Sequence, residues 1–475
     1  MRSRKIIGNF FFLTTGKTIG DFFTFILFVV ISRLFGQEGT GQYSFAVAFT
    51  GFFVVFADFG LYGFAIKELS QHIGSFQAEY GRLWILRVTL SLGVLFALVV
   101  SSPFLPFSKD TKLIIVIIGV YQLMQRLSEG ATAAFIAHEE MHFAGIVDAI
   151  FRTIAALTAI AVAYLSKGLI LALSVLPVIT ALQFVTTDGI VRRRYGRLTL
   201  CVSISSMIGT LRAAMPYGFS MFLSQVQSRI DVLLLGFMVS TTASGVYNVG
   251  YRVVFLLFMF PNFASMVALP IASKLYKNSL AEFRLLYQQS IKLIVLIALP
   301  MSAGVWLIAP DLIRIIFGGA FDESSSVLRI LSALLFFTFL NRLMMTFLAA
   351  SDKQSAATRV QWFAVLLNLI GNLILIPAFG VLGAAISTLI SEGVFCVLLA
   401  MRLYPSMGVP QVGTRIAIGV MATTLFVVPF VLLPSTPLSL VVLASTLIYA
   451  GTLIVFKEIR ANEVQMVMSL FKKES

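Results

Sequence analysis

Ten cationic side chains lie within long apolar runs of this 475-residue sequence. A charge at the centre of a lipid bilayer costs roughly 2.5–3.5 kcal/mol on insertion scales, so a residue kept there usually pairs with another charge or binds something. The ten cations are Lys17, Arg87, Arg126, Arg152, Arg212, Arg229, Arg252, Lys292, Arg329 and Arg342. The acids in the same runs are Asp21, Asp58, Glu129, Asp148, Asp231 and Glu392. The surplus of four positive charges favours the binding of an anion over that of a cation.

Three pairs of these charges have the spacing of neighbours on one helix face. They are Lys17 with Asp21, Arg126 with Glu129, and Asp148 with Arg152. Such pairs can neutralise each other and enter a membrane without any binding role. Arg212, Arg329 and Arg87 can also extend to an interface along their apolar stems. The cations for which a binding role is the preferred interpretation are Arg87, Arg252, Lys292 and Arg342. We therefore expect a cationic, water-filled cavity.

Other reactive groups do not form a recognisable catalytic or metal site. Thr15-Gly16-Lys17-Thr18 resembles the end of a phosphate-binding loop, but Phe11 stands where that loop needs glycine, and the segment lies inside an apolar run. The three histidines lack the spacing of metal ligands. The two cysteines, Cys201 and Cys396, imply no disulfide framework. We expect no cofactor, no metal ion and no catalytic residue.

The elements that hold these charges are predicted to be membrane-spanning helices. Hydrophobic residues make up 59% of the chain and charged residues 12%, and the mean hydropathy is +0.96, whereas a soluble domain has roughly 25% charged residues. A spanning helix needs roughly 20 apolar residues, and an open sheet edge cannot lie in lipid. About fourteen spans are predicted, at 8–33, 42–66, 82–102, 112–137, 142–165, 168–187, 205–238, 244–271, 286–308, 325–349, 356–377, 380–402, 412–433 and 437–456. The first is too long for a cleaved signal peptide and is predicted to stay attached.

Loop charges predict how these helices are oriented. If the chain starts inside, the cytoplasmic loops hold 20 Lys and Arg residues and the exterior loops hold 5. Cytoplasmic loops attract Lys and Arg, so the sequence predicts a multi-pass protein of the plasma (inner) membrane with both termini in the cytoplasm. This bias and the embedded cations account for the net charge of +14, and no nucleic acid is expected as a partner.

An internal repeat organises the helices. The basic segment 188–197 follows the sixth predicted helix, and Gly41-Gln42-Tyr43 at the second helix matches Gly245-Val246-Tyr247 at the eighth. Two repeats of six helices would be related by an axis along the membrane normal, as in transporters whose binding site lies between two lobes. The predicted fold is an all-α polytopic membrane protein of two six-helix lobes plus a C-terminal helix pair. The predicted divisions are 1–190, 191–404, and 405–475 with its cytoplasmic tail.

Two stretches of the sequence carry a family resemblance. The first contains Phe35-Gly36-x-x-Gly39-x-Gly41-x-Tyr43-Ser44-Phe45-Ala46, Ala57-Asp58-Phe59-Gly60-Leu61 and Lys67-Glu68-Leu69-Ser70. The second contains Ser228-Arg229-Ile230-Asp231-Val232 and Gly245-Val246-Tyr247. They resemble the openings of the two halves of the polysaccharide flippases, members of the multidrug/oligosaccharidyl-lipid/polysaccharide exporter superfamily. The resemblance implies a 12+2 helix fold whose lobes rock around a cavity in alternating access.

The resemblance also implies a cargo, a polyprenyl-pyrophosphate-linked oligosaccharide that is moved from the cytoplasmic to the outer leaflet for cell-surface polysaccharide biosynthesis. Such a cargo is anionic, so the candidate substrate-binding residues are Lys17, Arg87, Arg126, Arg152, Arg252, Lys292 and Arg342. Buried carboxylates can hold a proton or a sodium ion, and the candidate coupling residues are Asp21, Asp58 and Glu392. Asp58 could instead brace a helix. We expect a monomer whose other partners are membrane lipids and polysaccharide-assembly proteins.

Three alternative functions remain open from the sequence. A lipid II flippase would also carry a pyrophosphate. A cation-coupled drug antiporter of the same fold should line its cavity with acids and aromatic rings, which the surplus of cations disfavours. A membrane glycosyltransferase or polymerase would need an acidic cluster or a large exterior loop, and the longest exterior loop, 309–324, holds few acids. We therefore expect a transporter rather than an enzyme.

Overall fold

The computed structural model describes residues 2–196, 198–199, 203–407, 413–432 and 436–456. Within these ranges the chain forms helices and short connections and no strand. Ten helical segments of the described chain are long and apolar enough to cross a membrane. The prediction of an all-α polytopic membrane protein is therefore confirmed. The expectations for Cys201 and for the tail beyond Phe456 lie outside the described residues.

The described helices divide between two compact units, one up to Gly245 and one from Val246 onward. The first unit contains α1 Arg2–Asp58, α2 Leu61–Gln71, α3 Phe76–Ser101, α4 Lys109–Ala137, α5 Met141–Ser166, α6 Leu169–Tyr195 and α7 Ile204–Met238. Helix α8, Thr241–Leu257, runs from the first unit into the second. The second unit continues with α9 Met259–Asn278, α10 Leu280–Phe317, α11 Glu323–Ala350, α12 Gln354–Met407, α13 Gly413–Leu432 and α14 Leu438–Val455.

Two glycines reverse the chain inside elements that are otherwise helical. Gly36 in α1 has φ 62° and ψ −159°, and Gly380 in α12 has φ 56° and ψ −129°. These dihedrals are close to a region that is essentially confined to glycine. Gly36 lies between two predicted spans and Gly380 is the first residue of predicted span 380–402, so four predicted spans become the two continuous segments Phe12–Gln71 and Gln354–Pro405. This is one reason why the structure does not reproduce a count of fourteen separate spans.

The first unit is packed around helices α1, α4, α5 and α6. Helix α1 lies along α5 and α4, and α6 closes the group against α4 and α5. A second apolar core joins α2 and α3 to α4 and α7, with Leu61, Leu69 and Phe135 fully buried. Most helices of this unit therefore have both a lipid-compatible outer surface and an inner face that can carry polar groups.

In the second unit α11 is the central helix. It packs against α9, α10 and α12, and its membrane-crossing window is more buried than that of any other described span. Helices α13 and α14 pack on each other and on α10, where the Tyr449 hydroxyl donates a hydrogen bond to the carbonyl of Leu296. The central position of α11 matters because it carries Asn341 and Arg342.

The short connection between α4 and α5 is tied to the end of α6 by Glu140. Its carboxylate accepts hydrogen bonds from the Tyr195 hydroxyl and from Nη2 of Arg194, the latter at 2.7 Å. Partial burial would raise the pKa of Glu140, but these two donors outweigh it and hold the pKa below its usual range. The contact is therefore present above the ordinary carboxyl pKa of about 4.3 and is lost only as the pH falls through the lowered value.

Candidate functional site

The first unit contains a cluster of charged and polar side chains between α1, α4, α5 and α6. Two small cavities, each large enough for about one water molecule, share Gln125, Arg152 and Gln183 in their walls. We call the charged and amide residues around them the polar cluster; its members are Lys17, Asp21, Gln125, Arg126, Glu129, Asp148, Arg152 and Gln183. Four helices thus contribute polar groups to one part of the unit, where Lys17 and Asp21 of α1 are exposed.

Arg152 and its partner Asp148, both on α5, connect three helices of the polar cluster. Its Nη1 donates to Oδ1 of Asp21 on α1 at 2.8 Å, and its Nε donates to Oδ1 of Asp148 on α5 at 3.0 Å. Gln183 on α6 donates to the same Asp148 oxygen at 3.4 Å. The predicted pairing of Asp148 with Arg152 is confirmed. The predicted pairing of Lys17 with Asp21 is wrong, because the ion pair of Asp21 is with Arg152.

The contact between Arg152 and Asp21 depends on a close approach of α1 to α5. A Cβ added at Gly16 would overlap the carbonyl of Gly145, and a Cβ added at Gly20 would overlap the side chain of Arg152. Small residues four apart are the usual means by which membrane helices approach closely. These two glycines were not predicted as contact residues, although Gly16-x-x-x-Gly20 is a recognisable signal for such a contact.

We predict that Gly16→Ala lowers the stability of the folded protein, because the new methyl group must push α1 away from α5. Gly93→Ala on α3 is the matched control, since a Cβ there meets no atom within 4 Å and alanine favours a helix by about 1 kcal/mol over glycine. Size-exclusion chromatography of detergent-solubilised protein after heating measures both. A midpoint for Gly16→Ala equal to or above that of Gly93→Ala would contradict the close contact.

The remaining charges of the polar cluster balance one another. Arg126 donates to Oε2 of Glu129 at 2.7 Å, which confirms the predicted pair. Lys17 lies in the wall of the cavity that Glu129 and Asp148 also line. Three cations and three acids therefore occur in the cluster, and its net charge is zero at neutral pH when each group is ionised. This part of the first unit is therefore not the cationic cavity that was expected from the sequence.

Arg87 and Asp58 form a separate, deeply buried ion pair in the first unit. Nη2 of Arg87 lies 3.2 Å from Oδ1 of Asp58, and the two side chains are 6% and 2% exposed. The other Asp58 oxygen accepts a hydrogen bond from the Tyr62 amide at 3.3 Å, at the start of α2. Arg87 was expected to lack an acid or to reach the interface, and the structure corrects both expectations. The alternative role for Asp58, bracing a helix, agrees with this geometry.

The second unit holds the other four predicted site residues. Arg252 on α8 and Glu392 on α12 are half-buried, Lys292 on α10 is buried, and Arg342 on α11 is exposed. The Asn341 side-chain amide donates to Oε2 of Glu392 at 2.6 Å and to its carbonyl at 3.1 Å. Asn341 was not predicted, because a lone asparagine in an apolar run gives no signal of its partner.

Buried amides and hydroxyls also connect α8 with both halves of α12. The Asn368 amide donates to Thr388 Oγ1 at 3.2 Å and accepts from Asn372 at 3.1 Å, and Ser387 donates to the Asn368 carbonyl. Tyr247 on α8 lies 3.4 Å from the same Thr388 oxygen. These contacts hold the two halves of α12 together on either side of the Gly380 reversal.

Two of the remaining cations predicted within helices, Arg329 and Arg212, have other surroundings. The guanidinium of Arg329 lies 5.3 Å from the centre of the Trp306 ring, a cation–π contact beside a residue type common at membrane interfaces. Arg212 is exposed near the beginning of α7. Within the described residues, no group of three or more His, Cys, Asp or Glu side chains is arranged to hold a metal ion.

Comparisons with known proteins identify relatives across this fold. The family model described as "Polysaccharide biosynthesis protein" matches residues 6–276, and the MatE model matches residues 216–374. The "Probable flippase AglR" of Haloferax volcanii is 30% identical over 211 residues, which cover 42% of this chain and 44% of that protein. The match thus spans less than half the length of AglR. The "Capsular polysaccharide biosynthesis protein CapF" of Staphylococcus aureus is 21% identical over 82% of this chain and 96% of that protein.

A solved structure shares the fold over nearly the whole chain. The lipid II flippase MurJ, in an inward closed conformation, superposes with a TM-score of 0.75 over 95% of this chain and 99% of that chain. The two sequences are 16% identical. At this identity the likeness concerns the helical fold alone.

Proposed function

Because the chain belongs to the polysaccharide biosynthesis protein family, we propose that it is a flippase for a polyprenyl-diphosphate-linked oligosaccharide. It moves the polar head group of this lipid from the cytoplasmic to the outer leaflet, while the polyprenyl tail stays in the bilayer. The match of the family model to residues 6–276 carries the proposal. The oligosaccharide so delivered serves the assembly of a cell-surface polysaccharide.

The chemistry of the membrane segments supports this cargo. A diphosphate and its sugars need cations and hydrogen-bonding groups at a depth where both are costly, and the sequence holds more cations than acids there. Moving a head group between leaflets breaks no covalent bond, so the proposal needs no catalytic residue. The protein acts as a monomer, with membrane lipids and polysaccharide-assembly proteins as its other partners.

The proposed transport cycle is alternating access between two lobes. Fourteen spans would form six-helix lobes at 1–190 and 191–404 and a helix pair in 405–475, with both ends of the chain in the cytoplasm and the protein in the plasma membrane. An even number of helices per lobe gives both lobes the same orientation, and transporters of this kind bind at the interface of their repeats. The excess of Lys and Arg in the predicted cytoplasmic loops supports the orientation.

Coupling to a proton or sodium ion would use a carboxylate within a helix, and Asp21, Asp58 and Glu392 are the candidates. Asp21 and Asp58 each contact an arginine, so a coupling cation would have to compete with a guanidinium there. Glu392 accepts a hydrogen bond from a neutral amide, that of Asn341.

The lipid that co-purifies with the protein tests the cargo directly. We predict that mass spectrometry of gently purified protein detects a polyprenyl diphosphate bearing several sugars, enriched over total membrane lipid. A membrane protein of similar size purified from the same cells serves as the control for trapped lipid. Enrichment of a peptide-bearing muropeptide lipid instead would make the protein a lipid II flippase, and enrichment of neither would argue against a diphosphate cargo.

A further inference from the structure

One face of α3 carries three polar side chains. Tyr80, Trp84 and Arg87 follow each other at intervals of four and three residues, which places them on the same side of a helix. They line one side of a cavity between α3 and helices α2, α4 and α6, and its other walls are apolar. The cavity has room for about one water molecule.

Two of these side chains bring buried hydrogen-bond donors to the cavity. Arg87 faces Asp58 through Nη2 alone, at 3.2 Å. Its Nε and Nη1 atoms, and Nε1 of Trp84, are shielded from solvent and have no hydrogen-bond acceptor among the residues that the structure describes. A buried donor without an acceptor is costly, and more so when it is charged. Such donors in native proteins nearly always bond to the chain or to ordered water.

Tyr80 supplies an acceptor on the same face. Its hydroxyl donates to Oδ1 of Asp188 on α6 at 2.9 Å, so the hydroxyl oxygen can still accept a hydrogen bond. Asp188 also accepts a hydrogen bond from Nε of Arg192 at 2.6 Å. A ligand in the cavity therefore has donors to accept from and an acceptor to donate to, and water can do both.

The charges beside the cavity favour water over an ion. Arg87 is paired with Asp58, and Arg192 with Asp188, so these groups sum to zero. An ion in the cavity would add a buried charge without a counter-charge, which costs far more than an uncharged molecule does. A halide, moreover, has no hydrogen to donate to Tyr80.

We propose that this cavity binds one ordered water molecule, which accepts hydrogen bonds from Arg87 and Trp84 and donates one to Tyr80. The water joins two polar groups of the first unit that are otherwise separate. One is the Asp58–Arg87 ion pair at the break between α1 and α2, and the other is the Tyr80–Asp188 hydrogen bond between α3 and α6. The water is bound whatever cargo the protein carries.

Hydroxyl-radical footprinting of the full-length wild type in nanodiscs tests for this water. X-rays convert water to hydroxyl radicals, which oxidise the side chains beside that water even where bulk solvent does not reach. We expect Tyr80 to be oxidised severalfold faster than Tyr287. The two residues are equally buried, each 3% exposed, and the Tyr287 ring packs against that of Phe347. Equal oxidation rates of the two tyrosines would overturn the proposal.

A substitution that fills the cavity provides a second measurement. Ala131→Val enlarges a side chain in the α4 wall and should lower the oxidation rate of Tyr80 to that of Tyr287. Ala78→Val is the matched control, because it makes the same change at an exposed position of α3, and it should leave the Tyr80 rate unchanged. If Ala131→Val leaves Tyr80 reactive while Tyr287 stays protected, the radicals come from elsewhere and the proposal is overturned. If Tyr287 also becomes reactive, the variant is misfolded and the comparison within the wild type decides.

Replacing chloride by gluconate at constant ionic strength distinguishes water from a bound anion. We expect the same oxidation rate of Tyr80 in both salts, because an uncharged ligand does not depend on the anion in the buffer. A Tyr80 rate that rises when chloride is removed would show that chloride occupies the cavity, and the assignment to water would be wrong.

Discussion

Arg87→Ala is expected to destabilise the protein by about 3–5 kcal/mol, the usual result of removing one partner from a buried ion pair. Asp58 would be left as a carboxylate that is 2% exposed and could no longer be held against α3. It also accepts the hydrogen bond from the Tyr62 amide that begins α2, so the break between α1 and α2 should loosen as well. The measurement is the thermal midpoint and the yield of monodisperse protein after detergent extraction.

Two further variants separate the ion pair from a general effect of mutation. Arg87→Met combined with Asp58→Asn removes both charges, and asparagine can still accept the hydrogen bond from the Tyr62 amide, so this protein should be more stable than Arg87→Ala. Arg314→Ala, which breaks an exposed pair with Asp322, should change stability little, as exposed pairs usually do. If Arg87→Ala behaves like Arg314→Ala, the buried pair does not have the structural role described above.

Gly130 adds an independent check of the same contact. A Cβ at this position would overlap the guanidinium of Arg87, so any larger residue at this point of α4 would require Arg87 to shift. Together Gly130, Arg87 and Asp58 bind α3, α4 and the end of α1 into one group. Phe59 and Gly60, which follow Asp58, have positive φ values of 37° and 82°. A strained non-glycine residue beside a buried charge indicates that surrounding contacts fix this break firmly.

The sequence was sufficient to predict contacts between residues close together on one helix. Arg126–Glu129 and Asp148–Arg152 were found from spacing alone, because helix geometry places residues three and four apart side by side. Partners on different helices could not be found in this way. Asp58 meets Arg87, and Asp21 meets Arg152, only because α1 packs against α3 and α5.

For the helix boundaries too, some features could be predicted from the sequence and others could not. Length and hydropathy predicted nearly every apolar helix, because the bilayer requires roughly 20 apolar residues for each crossing. Hydropathy does not reveal where two successive helices are joined by a single non-helical glycine with no loop between them, as at Gly36 and Gly380. The repeat inferred from Gly41-Gln42-Tyr43 and Gly245-Val246-Tyr247 stays a prediction, although an added Cβ at Gly41 would meet Thr241 and one at Gly245 would meet Gly41.

The largest functional effect is expected in a flipping assay with purified protein. The full chain is reconstituted into liposomes with a fluorescent polyprenyl-diphosphate oligosaccharide, and a membrane-impermeant quencher reports how much of the lipid has reached the outer leaflet. We predict protein-dependent flipping by the wild type, with the lipid recovered chemically intact because no bond is broken. Arg342→Ala at equal reconstitution should flip at least about tenfold more slowly, as expected from the loss of a charge-assisted contact.

Flipping in this assay requires both a diphosphate-linked cargo and the movement of that cargo across the bilayer. We predict that the flipping rate increases with the amount of wild-type protein per liposome and that an unlabelled polyprenyl-diphosphate oligosaccharide inhibits flipping by competition. If folded protein is inserted in both orientations in the liposome membrane and flipping is still no faster than in protein-free liposomes, the proposed function is wrong.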